Sequence, residues 1–111
     1  MIAIFDVRVR LDLRGAGKWL DEQQSGLSLE LSTELHRLVD SIEFNPLQFS
    51  PWPGSRHQDQ VRFSLIGKFG YVLVFKVLAE RRLVLILSAQ RGRQRPGAWK
   101  FRLKTFRPEG Q

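Results

Sequence analysis

The chain has 111 residues, 42% of them hydrophobic and 26% charged, which suits one buried core and is too short for a two-domain enzyme with its own cofactor module. It has no cysteine and only two histidines, His36 and His57, in different segments; disulfides, thiolate catalysis and thiolate metal sites are excluded, and neither a metal nor a cofactor is expected. The net charge of +7 is unevenly spread: residues 1–55 carry five bases against eight acids, residues 56–111 thirteen against three.

A half-molecule with so large a basic excess attracts phosphates or an acidic protein, unless it is simply a solvated surface. No stretch approaches the ~20 apolar residues that span a bilayer. The first residues also lack the layout of a signal peptide. A soluble, cytoplasmic protein with no membrane partner is expected.

In chain order, Ile2 to about Arg10 alternates Phe5, Val7 and Val9 with Asp6, Arg8 and Arg10, the period of a strand with one buried face. Leu13, Ala16 and Leu20 then fall at helical spacing, with Asp12 placed to cap the first turn. Gly15 and Gly17 oppose this helix, each by about 1 kcal/mol. Gly26 supplies a stop. Ser28 is placed to cap a second helix, in which Leu31, Leu35, Leu38 and Ile42 share a face and which ends at Asn45-Pro46. Residues 12–44 are therefore a helical hairpin and residues 45–59 a proline-rich loop. Residues 60–90 read as three antiparallel strands: Gln60–Ile66, a Gly67-Lys68 turn, Phe69–Leu78, a turn at 79–82, and Leu83–Ser88. Residues 91–111 form a basic tail, whose stretch from Ala98 to Phe106 reads as an edge strand or a frayed end. The class is α+β, one domain, with the hairpin on one face of the sheet and the other face partly open.

Four stretches in this order carry a resemblance. They are Asp12 to Gln23 with Gly26-Leu27; Ile42-Glu43-Phe44-Asn45-Pro46 with Phe49; Val61-Arg62 with Phe69 to Phe75; and Arg91 to Trp99. Together they resemble the RelE/ParE superfamily of toxins from bacterial type II toxin–antitoxin systems, closest to its ParE, or plasmid-stabilisation, branch. The chain departs from that pattern at Gln90 and Arg91, where many relatives have a histidine, and at Phe75 and Ala98.

The resemblance implies a toxin that binds and poisons DNA gyrase and is neutralised by a cognate antitoxin in a hetero-oligomer. Its contact patch would be Arg91, Arg93, Arg95 and Trp99, since arginine and tryptophan dominate binding hot spots. Trp99 has an alternative use as a plug at the edge of the core. Trp19 and Trp52 are candidates for antitoxin binding, with the open face of the sheet as the groove.

The alternative is the RelE-type activity, ribosome-dependent cleavage of mRNA. That reaction needs a proton acceptor, cations around the phosphate and an acid for the leaving oxygen. Arg62, Arg81, Arg91, Arg93 and Arg95 could clamp the phosphate, Lys68 is a remaining candidate for proton transfer, and Tyr71 is the only tyrosine. His57 reads as an exposed loop residue, His36 as a surface residue, Tyr71 as packed and Lys68 as solvated, which weighs against an enzyme. A basic nucleic-acid-binding module that is no toxin is the third reading.

Overall fold

The computed structural model describes residues 1–56, 59–92 and 97–110. The chain opens with β1 (Ile2–Phe5) and enters α1 (Val9–Gln23). The strand expected to reach Arg10 stops at Phe5 because Asp6 is wholly buried and turns the chain. Its backbone oxygen accepts the Val9 N–H at 3.0 Å and its carboxylate the Arg8 N–H at 2.9 Å, an Asx-type turn that competes with a strand. The helix consequently starts before Asp12, which lies inside it rather than at its cap. Val9 enters the core from its first turn.

α2 (Leu27–Phe44) ends at Asn45, before Pro46, as the sequence predicts. The turn between the helices is closed by Gly26 at φ 94°, a conformation that favours glycine. Ser28 does not cap α2. Its hydroxyl and N–H donate to the Asp21 carboxylate at 2.6 and 2.9 Å, stapling α1 to α2, and these bonds hold the Asp21 carboxyl below the usual range.

The loop that follows contains a 3-10 turn (Pro46–Gln48) and a two-residue strand, β2 (Ser50–Pro51). Then come β3 (Val61–Leu65), β4 (Tyr71–Leu78), β5 (Leu83–Arg91) and α3 (Gly97–Lys104). The link between β3 and β4 is longer than the two-residue turn expected at Gly67-Lys68. Ile66 leaves the strand to become fully buried, and Gly67 and Gly70 take positive φ on the way back.

The five strands form one sheet in the order β1-β5-β4-β3-β2. The antiparallel meander of β3, β4 and β5 is as expected. β1 lies parallel beside β5, Ile2 opposite Leu83, with the helical hairpin as the crossover that a parallel return requires. The class is α+β, but the sheet is five-stranded and mixed.

Side chains alternate between two cores. Leu73, Phe75, Val84 and Ile86 face the hairpin and meet Leu20, Leu31 and Ile42. Val61, Val72, Val74 and Leu87 face the other way and meet Trp99. The expected strand-like tail is overturned: α3 packs on that face, which stays partly open at a cleft beside Trp52. Trp99, Leu103 and Phe106 recur at i, i+4 and i+7 and all pack on the sheet, whereas Phe101, which period two would have buried with them, is 62% exposed. Burying each such side chain contributes about 2 kcal/mol.

Candidate functional site

The end of β5 is shaped by an irregularity. Val74 pairs with Ser88 and Phe75 with Ile86, so Leu87 has no partner on β4. Ile86 faces the hairpin and Leu87 the α3 side. After this bulge the alternation resumes one step late, and Ala89 again faces the hairpin. Arg91, two residues on and opposite Tyr71, therefore points to the hairpin side. A regular strand would have sent it to the α3 side.

There the Arg91 guanidinium lies 3.8 Å from the ring centroid of Trp19 on α1. This is a close cation–π stack, worth up to about 1 kcal/mol at an exposed site. Arg91 is exposed, and among the described residues it pairs with no carboxylate. Gly92, at φ 68°, turns the chain away while its N–H closes the ladder on the Gly70 oxygen at 2.8 Å.

The expected contact residues are distributed as follows. Arg91 is at this end of the sheet; Arg93 and Arg95 lie outside the described residues, as does His57. Trp99 is only 5% exposed and packs from α3 onto the opposite face of the sheet from Arg91. Its indole Nε1 is buried without a partner among the described residues. Trp52 meets Phe63 and Trp99 edge-on at 5.6 and 5.9 Å. Trp19 and Trp52, both candidates for antitoxin binding, are thus separated by the sheet. Beside Trp52 opens an apolar cleft of about 500 Å³ lined by Trp52, Pro53, Phe63, Val72 and Gly92.

The residues named for RNA cleavage do not form one cluster. Tyr71 and Arg91 are cross-strand partners, with Lys68 in the turn at the same end of the sheet, but Tyr71 is only 6% exposed. Arg62 opposes Phe75 further down the sheet and donates to the Phe49 oxygen at 2.6 Å. Arg81 is in the turn between β4 and β5, at the far end of β4 from Tyr71, roughly 24 Å away at strand rise. His36 is exposed on α2, 2.7 Å from the Ser32 oxygen.

Two acidic residues matter more than the sequence suggests. Burial pushes the Asp6 carboxyl up, but bonds from the Arg8 side chain and from the Arg8 and Arg107 amides, with the charge of Arg8, more than offset it and leave it lowered to about 2. Arg8 also donates to the Thr105 hydroxyl and backbone oxygens, both at 3.0 Å, tying the start of α1 to the end of α3. Asp12 pairs with Arg102 of α3. A buried acid inside an apolar run was the available signal for Asp6; nothing in the local pattern pointed to the Asp12 partnership.

Among the described residues no group of His, Cys, Asp or Glu is placed to hold a metal, and no helix is long and apolar enough to cross a membrane. No protein-family model matches the chain, and no curated protein matches it.

Proposed function

We propose that the chain is the toxin of a bacterial toxin–antitoxin pair and acts by gripping a macromolecular target, DNA gyrase in the ParE manner, with a cognate antitoxin as its neutraliser. The observation that carries this reading is Arg91, held outward on the Trp19 ring with no carboxylate partner among the described residues. A guanidinium stacked on an indole is pre-ordered, so little side-chain freedom is lost when a target binds. The sequence runs from it straight into Arg93 and Arg95.

One observation favours the RNA-cleaving alternative: Tyr71 and Arg91 face each other across adjacent strands. Induced expression separates the two. The gyrase reading expects growth arrest with trapped gyrase–DNA complexes and intact mRNA, and loss of arrest in a folded Arg91→Glu variant. Codon-specific cuts in mRNA without trapped gyrase would replace it with the nuclease reading, and unimpaired growth would end both.

A further inference from the structure

The edge strands of a sheet carry unpaired backbone groups that invite a further strand, and the two edges of this sheet are closed by different means. β2 is two residues long and one of them is Pro51, which has no N–H to offer. β1 is the other edge. Its Ile2 and Asp6 N–H groups turn inward, to the Arg82 oxygen at 3.1 Å and the Ile86 oxygen at 2.9 Å. The odd-numbered backbone groups between them therefore face out from the sheet. At the far end the Phe5 oxygen accepts the Glu109 N–H and the Val7 N–H donates to the Arg107 oxygen, at 2.9 and 2.8 Å. With Asp6 bridged antiparallel to Pro108, residues 107–109 cover this end as a strand would. The near end is covered by a single side chain: the Ala3 N–H donates to Glu43 Oε2 at 2.8 Å.

Glu43 comes from the last turn of α2, and its carboxylate pairs with no cation among the described residues. What it covers is an apolar stretch, Met1-Ile2-Ala3-Ile4-Phe5, with no charge before Asp6. Ala3 and Phe5 pack toward the hairpin core, so Ile2 and Ile4 belong to the other face, and Ile2 is 64% exposed. A short, uncharged, β-prone segment at an edge is complementary above all to a copy of itself. In a two-fold antiparallel pairing centred on Ala3, that residue exchanges N–H and C=O with its own counterpart. Ile2 then lies against Ile4 of the second copy.

We infer that Glu43 guards the β1 edge: it occupies the Ala3 N–H that otherwise pairs with β1 of a second copy, and so keeps two sheets from joining edge to edge. The inference stands apart from the toxin reading.

The test uses the full chain, with mass read by light scattering and exchange of the Ala3 amide by NMR. Wild type stays monomeric up to about 500 μM, whereas Glu43→Ala forms dimers with a dissociation constant of about 100 μM, as suits so short a pairing. In dilute Glu43→Ala the Ala3 amide exchanges about tenfold faster than in wild type, and it slows again as dimers form. Glu43→Gln keeps an acceptor oxygen in place and stays monomeric. Adding Ala3→Pro to Glu43→Ala removes the N–H itself and restores the monomer. If Glu43→Ala loses its folded circular-dichroism signal, Glu43→Asp, one methylene short of Ala3, carries the same expectation. A monomeric Glu43→Ala, dimers that survive Ala3→Pro, or wild-type dimers overturns the inference. So does an Ala3 amide that exchanges equally fast with and without the Glu43 carboxylate.

Discussion

Asp12 and Arg102, 90 residues apart in sequence, share two hydrogen bonds and together finish the edge of β5. β1 ends at Phe5, opposite Ile86, so the outer backbone groups of β5 beyond that point have no neighbouring strand among the described residues. Arg102 Nη1 donates to the Leu87 oxygen at 3.1 Å, and Asp12 Oδ2 accepts the Ala89 N–H at 3.0 Å. The ion pair stands in for the missing strand at the bulge itself. The side chains are only 13% and 10% exposed, so removing either partner leaves a charge and a backbone group unsatisfied. Asp12→Ala and Arg102→Ala should each lower the unfolding free energy by about 3 kcal/mol. The double variant should fall well short of their sum. Urea titrations check this, and single variants within about 0.5 kcal/mol of wild type would dismiss the pair as decoration.

Asp6 gives the fold a specific acid sensitivity. Its pKa is lowered from 3.8 to about 2, so the folded state holds its carboxylate more strongly than the unfolded chain does. The resulting stability is fully present above about pH 4 and is lost as the pH falls through about 2, a change of about 2 kcal/mol. Asp6→Asn should be less stable than wild type at neutral pH and should lose this segment of the pH profile. Parallel profiles for the two proteins between about pH 4 and 2 would mean that the Arg8 and Arg107 contacts do not discriminate between the charged and neutral acid.

The two glycines that oppose α1 on propensity have opposite surroundings. A Cβ at Gly15 meets open space, whereas one at Gly17 lies 3.2 Å from Ser28 Cβ. Ser28 cannot easily yield because Asp21 holds both its hydroxyl and its N–H. Gly15→Ala should therefore raise stability by about 1 kcal/mol. Gly17→Ala should gain nothing or lose stability, since helix propensity is spent against the close contact with α2. Thermal melts of the two variants side by side decide it, and equal stabilisation would show that the hairpin can shift.

How far these features were legible depends on whether one period dominates. In α2 the steps through Leu31, Leu35, Leu38 and Ile42 fit only a helix, and Pro46 forces its end. In β4 a long apolar run between a glycine turn and the charged turn at residues 79–82 fits a buried strand. Residues 99–106 satisfied two periods at once: Trp99, Phe101 and Leu103 alternate, while Trp99, Leu103 and Phe106 fit a helix. The sheet face under Val61, Val72 and Val74 chose the second, and no local rule contains that choice. The site was legible only in part. Arg91 and Trp19 were both singled out as residue types suited to binding, yet their contact depends on the β5 bulge, and a bulge at Leu87 leaves no mark in an apolar strand. Asp12 looked like a cap because its partner lies in the tail.

The Arg91–Trp19 stack separates charge from shape. Arg91→Ala should cost less than about 1 kcal/mol of stability, since the contact is exposed. It should also raise the fraction of tryptophan fluorescence that acrylamide can quench, because Trp19 loses its cover while Trp99 stays buried. Arg91→Lys keeps the charge but replaces a planar fork with a hydrated point charge that does not stack in the same way. If the stack orders the guanidinium for its target, Arg91→Lys behaves like Arg91→Ala in growth arrest. Trp19→Leu, which leaves the arginine but removes its platform, weakens arrest as well. If Arg91→Lys retained full arrest, the surface would work through net charge alone, and the bulge that turns Arg91 onto Trp19 would have no part in the activity.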